Sequence, residues 1–176
     1  MKQAVIVIDM IHDFVDGVLG SAPAQKIVPD LKSFLEVARK DNVPVIYTND
    51  AHLDEIDNEL KLWGNHGIKG THGGAVVPEL TPQAGDFVIE KRRYSAFFGT
   101  SLDLLLQELG VTNVILTGVA TNICVQSTAM DAFFRNYAIT IVRETTASFD
   151  PDAEKYALDY MKSMFAAEIV TVNEVF

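Results

Sequence analysis

The sequence predicts an α/β protein built on a six-stranded, mainly parallel sheet with helices on both faces. Three observations carry that prediction. Six short runs are nearly continuous in apolar, β-branched residues, the pattern of strands buried on both faces. Segments of helical periodicity lie between them, so strand and helix alternate along the chain. The 176 residues hold no repeat, low-complexity tract or linker, so a single domain over 1–176 is expected.

Taken in order, strands are expected at 4–9 (AVIVID), 43–49 (VPVIYTN), 86–91 (DFVIEK), 113–118 (NVILTG), 138–144 (AITIVRE) and 167–172 (AEIVTV). The first helix is expected over 26–42, where Leu31, Phe34, Leu35 and Ala38 share one face. A second, over 102–110, ends on Gly110, a usual helix stop. A third spans 121–136. A fourth spans 151–167, with Pro151 in its first turn, Asp150 as N-cap, and Met161, Met164 and Phe165 as an apolar stripe for the core.

Composition removes several classes of function. The formal net charge is −10, and Lys and Arg cluster nowhere beyond Lys91-Arg92-Arg93, so nucleic acid is not an expected partner. One cysteine excludes an intrachain disulfide framework and any cysteine-rich zinc module. The apolar N-terminal run is too short to span a membrane and carries no small-residue cleavage site. A cytoplasmic protein without a membrane partner is the expectation.

That cysteine, Cys124, follows the fourth strand and enters a helix, in the stretch TGVATNICVQSTAMDAFF. Unpaired N–H groups and the positive end of the helix dipole favour a thiolate there. Its plain alternative is a small buried hydrophobe. Asp9 ends the first strand and Lys91 the third, and in a parallel sheet these ends share one edge. The three types suit a nucleophile, a carboxylate that takes its proton and an ammonium that stabilises negative charge. Taken singly, Asp9 is also readable as a cap and Lys91 as a solvated charge. A sharp turn at 118–124 would aim the N–H groups of Ala120 and Cys124 at a substrate carbonyl oxygen, an oxyanion hole. Thr121 is a candidate N-cap of the same turn.

One stretch breaks the alternation. Residues 50–85 form a long connection, rich in Gly, His and acids, directly after the second strand. Such loops are usually functional or disordered. Asp50, His52, Glu59 and His66 offer a nitrogen–oxygen ligand set for one divalent ion such as zinc, iron or manganese. His72, Asp54, Glu55 and Asp57 compete as ligands, and a solvated acidic loop is the bland reading.

The segments VIDMIHDF (7–14), TNDAH (48–52), EKRRYSAFFGT (90–100) and LTGVATNICV (116–125) together resemble the isochorismatase-like cysteine hydrolases, and among them the nicotinamidase/pyrazinamidase branch. The likeness spans nearly the whole chain, with the motifs in family order. It implies a three-layer Rossmann-like fold of strand order 3-2-1-4-5-6 that carries no nucleotide. No G-x-G-x-x-G follows the first strand, which argues the same way. It also implies an Asp9–Lys91–Cys124 triad, a cis peptide between Val119 and Ala120, and metal ligands Asp50, His52 and His66 with Glu59 as the fourth. Phe14, Trp63 and Tyr94 would enclose a pyridine ring, with Val119 also at the substrate. The implied activity is hydrolysis of nicotinamide and related small amides through a cysteine thioester, by a homo-oligomer. The alternative is a metal-independent hydrolase of carbamoyl or other small amides. The chain departs from close relatives in carrying Gly64-Asn65 ahead of His66 and Arg93 in place of a histidine.

Overall fold

The computed structural model describes residues 1–176. In chain order the elements are β1 (Gln3–Ile8), α1 (His12–Val15), α2 (Ala22–Lys40), β2 (Val45–Asp50), α3 (Glu59–Trp63), β3 (Phe87–Lys91), α4 (Leu102–Glu108), β4 (Asn113–Val119), α5 (Gln126–Phe134), β5 (Ala138–Ala147), α6 (Pro151–Phe165) and β6 (Glu168–Val170). The strands form one sheet of order β3-β2-β1-β4-β5-β6, with every pairing parallel. The expected architecture and order hold, and the sheet is wholly rather than mainly parallel.

Alternation along β1 divides the core. Ala4, Ile6 and Ile8 point into a cluster of 22 buried residues that includes Leu102, Leu106, Ala129 and Met161 from α4, α5 and α6. Val5 and Val7 point into an opposite cluster of 20, filled by Ile27, Leu31, Phe34, Leu35 and Ala38 of α2. Successive side chains of a strand face opposite ways, so a continuous apolar run serves two layers at once. Each fully buried Leu or Ile contributes roughly 1.5–3 kcal/mol.

Several boundaries differ from expectation for local reasons. α2 begins at Ala22, a turn earlier than expected, because the Ser21 hydroxyl caps the Ala24 N–H at 3.3 Å and Pro23 fits the first turn. Pro29 is accommodated inside that helix. α6 starts as expected, with the Asp150 carboxylate accepting the Asp152 N–H at 3.0 Å. Its stripe is narrower: Met161 and Phe165 are buried, while Met164 is 55% exposed. The third expected helix is divided, with Thr121–Val125 forming a π-helical turn before α5. The long connection folds back over the sheet edge. It contains α3 and a 3-10 turn at Pro78–Leu80, and is tied down by bridges Ile11–Val76 and His52–Ile68. No helix is long and apolar enough to cross a membrane.

Candidate active site

In strand order 3-2-1-4-5-6 the direction of winding reverses between β1 and β4, where parallel sheets open a crevice at their carboxyl ends. Asp9 and Cys124 flank that point. Asp9 follows β1 in the left-handed region (φ 54°), which aspartate tolerates better than most residues. Gly118, at the end of β4, has φ 97° and packs against Ile8 so closely that any Cβ would strike the Ile8 carbonyl. Only glycine meets both demands. The β2–β3 register sets Asp50 opposite Lys91.

These positions bring the three expected residues together. Lys91, 1% exposed, has its Nζ 2.7 Å from Asp9 Oδ2, 2.5 Å from Asp50 Oδ1 and 3.8 Å from Cys124 Sγ. Asp9 Oδ1 accepts the Asp50 N–H at 2.8 Å. Asp9 Oδ2 has no well-aligned donor, although the ammonium is near, so it keeps capacity for another proton.

The charge state reverses one sequence-based expectation. Burial pushes the Cys124 thiol well above its ordinary value, further than the Lys91 cation pulls it down. Excluding water costs a lone thiolate more than a single helical turn returns, and the Lys91 charge already serves two carboxylates. Asp9 is itself raised to about 7, by burial first and the Asp50 charge second, with Lys91 opposing. Lys91 is held well above its usual value: burial acts against its charge, but Asp50 and Asp9 outweigh it. The resting pair is thus a protonated thiol beside a basic carboxyl.

The turn before Cys124 contains a cis peptide between Val119 and Ala120. The Ala120 N–H makes no hydrogen bond, while its carbonyl accepts from Ile123 at 3.0 Å and Val125 at 3.2 Å. Thr121 is not the N-cap: Ala120 holds that position, and the Thr121 hydroxyl instead pairs with Thr146 Oγ1 at 2.7 Å. A buried hydroxyl partner on β5 outcompetes the local cap.

Cys124 opens onto a cleft of about 370 Å³, small for a ligand site. Phe14, Trp63 and Tyr94 line it, and Trp63 Nε1 donates to Tyr94 Oη at 2.9 Å. Val119 does not; it is 3% exposed within the core under α2. Leu19, Ile123 and Phe149 line the cleft without having been singled out in the sequence. Phe149 lies just beyond β5, and its place at the common strand edge is the signal that could have found it.

The second constellation borders the same cleft. One ligand atom from each of Asp50, His52, Glu59 and His66 lies within 4.8 Å of the others. His52 Nε2 and Glu59 Oε2 are buried and lack hydrogen-bond partners, which a buried polar atom tolerates poorly. His52 Nε2 lies 3.4 Å from Asp50 Oδ2 and 3.7 Å from Glu59 Oε2. Glu59 is raised by burial and by Asp50. Orphaned donors of this type, gathered at ligand spacing, fit a divalent cation. The competing acids separate cleanly: Asp54 and Glu55 are exposed, and Asp57 is buried behind His52. His72 stacks on His12 at 4.0 Å between ring centroids, outside the quartet.

A buried cysteine beside the switch point, with Asp9 after β1 and Lys91 at the end of β3, sits in an α/β fold of the hydrolase class. The chain belongs to the isochorismatase family, whose Isochorismatase domain model matches residues 3–174. Among solved structures it is similar to N-carbamoylsarcosine amidase from Thermoplasma acidophilum (TM-score 0.93, 39% identity, 99% of each chain covered). It is also similar to nicotinamidase PncA from Bacillus subtilis (TM-score 0.92, 34% identity, covering 97% of this chain and 99% of that one). A pyrazinamidase of Pyrococcus horikoshii in complex with zinc matches at TM-score 0.90 and 29% identity, over 97% of this chain and 99% of that one. Among curated proteins, ureidoacrylate amidohydrolase RutB of Rhizobium rhizogenes is 33% identical, over 98% of this chain and 81% of its own length. The resemblance read from the motifs is confirmed at the level of family and fold.

Proposed function

We propose that this protein hydrolyses nicotinamide and related neutral ring carboxamides, pyrazinamide among them, to the carboxylic acid and ammonia. The observation that carries this is one shared wall: Asp50 borders both the Cys124–Asp9–Lys91 trio and the His52–Glu59–His66 cluster, above a cleft lined by flat apolar side chains. The names of the nicotinamidase and pyrazinamidase neighbours support the same reading.

Asp50, His52, Glu59 and His66 would hold the metal, zinc first by donor set, with iron or manganese as alternatives. When bound, it supplies a Lewis acid beside the cleft. The chemical steps belong to the chain. Asp9 takes the Cys124 proton as sulfur adds to the carboxamide carbon, and Lys91 offsets the negative charge passing between them. The N–H groups of Ala120 and Cys124 receive the developing oxyanion, a contribution of roughly 3–4 kcal/mol. The C–N bond breaks as Asp9 returns its proton to the departing ammonia, leaving a thioester. Asp9 then deprotonates a water that adds to the thioester carbon; the C–S bond breaks and Cys124 recovers its proton. Trp63, Phe14 and Tyr94 enclose the ring.

A carbamoyl amide is the second reading, favoured by the N-carbamoylsarcosine amidase and ureidoacrylate amidohydrolase relatives. Both of those substrates carry a carboxylate. No Lys or Arg lines this cleft, so in a metal-independent enzyme an anionic substrate has no cation to meet there. The test is ammonia release from nicotinamide, pyrazinamide and N-carbamoylsarcosine, with and without chelator, with Cys124→Ala as control. The proposal expects chelator-sensitive turnover of the ring amides, abolished in the variant. Turnover of the carbamoyl compound alone, indifferent to chelator, would sink it.

A further inference from the structure

Asp57 was a candidate ligand by sequence, yet it stands outside the quartet and is fully committed elsewhere. Its side chain is 1% exposed. Its Oδ2 lies 3.0 Å from His52 Nδ1 and accepts the Leu53 N–H at 3.0 Å and the Arg92 Nε–H at 3.0 Å. Its Oδ1 accepts from Arg92 Nε at 3.1 Å and from Arg92 Nη2. Arg92, in the Lys91-Arg92-Arg93 run, has no part in the chemistry above. Adjacent residues at the end of β3 thus hold one member of the quartet and the carboxylate behind another: Lys91 binds Asp50, and Arg92 binds Asp57.

A carboxylate with this many donors can only accept. The His52 proton must then sit on Nδ1, and in the neutral ring the lone pair falls on Nε2, the buried atom with no hydrogen-bond partner. His66 is treated differently, since its Nδ1 lies 2.8 Å from the Gly64 carbonyl just past α3. One histidine is oriented by a local backbone turn. The other depends on a side chain five positions away, itself held by β3.

We infer that Asp57, clamped by Arg92, is a positioning residue that fixes the tautomer and ring orientation of His52 so that Nε2 faces the divalent ion. This rests on the metal reading given under Proposed function. Outer contacts of this kind typically change metal affinity 10–100-fold. An Asn at 57 keeps the shape but replaces one acceptor oxygen by an NH2. That group must confront either the Arg92 donors or the His52 side, so the clamp or the tautomer is lost.

The test uses full-length protein stripped of metal. Zinc affinity is measured by competition with a chromophoric chelator. The His52 tautomer is read from ring-nitrogen NMR shifts of the apo protein at pH 9. Wild type is expected to show the Nδ1–H form; Asp57→Asn should shift the proton toward Nε2 and weaken zinc binding about 10–100-fold. Arg92→Met, which retains the carboxylate, should weaken it less. A folded Asp57→Asn with wild-type tautomer and zinc affinity within twofold of wild type would overturn the inference. If Asp57→Asn does not fold, Arg92→Met decides by the same two readouts. Failure of wild type to bind zinc, manganese or iron would remove the metal reading instead, while the tautomer would still report whether Asp57 orients His52.

Discussion

Asp50 and Lys91 face each other across the β2–β3 ladder, and their side chains meet again above it, Oδ1 to Nζ at 2.5 Å. One pair of residues is therefore both a sheet register position and the joint between two functional clusters. Asp50 spends its other oxygen 3.4 Å from His52 Nε2, and Lys91 its remaining reach on Asp9 and Cys124. A change at either residue reaches both halves of the site.

Removing the cation should be costly for folding as well as chemistry. Lys91→Met leaves Asp9 and Asp50 buried without their counter-charge, a loss of about 3–5 kcal/mol. Without Lys91 the folded pKa of Asp9, already raised by burial, rises further above its unfolded value, and Asp50 loses the cation that holds its pKa down. The stability of the variant therefore falls as pH rises and is partly restored in acid. Urea denaturation of chelator-treated protein at pH 5 and pH 8 checks this, and a pH-independent deficit would contradict it.

The Trp63–Tyr94 contact predicts an effect on binding more than on turnover. Trp63→Phe and Tyr94→Phe each remove one partner of a neutral hydrogen bond worth about 1 kcal/mol. Both variants should raise KM for a ring amide several-fold with kcat nearly unchanged. In the double variant the effects should not add, because the second substitution removes a bond already broken.

Gly118→Ala places a Cβ against the Ile8 carbonyl at φ 97°. Strain at a left-handed position and overpacking together should cost about 2–5 kcal/mol. A melting temperature equal to that of wild type would show that the β1–β4 contact can relax.

Far from the site, Tyr137 donates to Asp103 Oδ1 at 2.9 Å, and burial, then Asp103, push its pKa up to about 12. The unfolded phenol ionises near 10, so between those values the folded state binds more protons. Stability contributed by this group is complete below pH 10 and is lost as pH rises toward 12. Tyr137→Phe should therefore lose less stability than wild type over that interval in parallel thermal melts.

The strands, their common edge and the two groups of reactive residues were legible because each depends on short-range pattern, whereas the strand order came from the family resemblance. An apolar run at Ala4–Ile8 followed by Asp9, or His52 two residues past Asp50, can be read along the chain. Membership of the quartet was less legible. Asp57 and Glu59 are both acids in the same loop, and only the turn that buries Asp57 behind His52 separates orienting group from ligand. Likewise Val119 and Phe149 both lie at strand ends, but one packs under α2 and the other into the cleft.

By itself the sequence determined the α/β alternation, the positions of Asp9, Lys91 and Cys124 at strand ends, and the loop that carries the histidines. Only the tertiary structure decided that the thiol rests protonated and that Asp57 serves His52. The reason is range: periodicity and caps act between near neighbours along the chain. Desolvation and ion pairing depend on groups dozens of residues apart, as Lys91 is from Asp50 and Arg92 from Asp57, whose distances exist only once the sheet has closed.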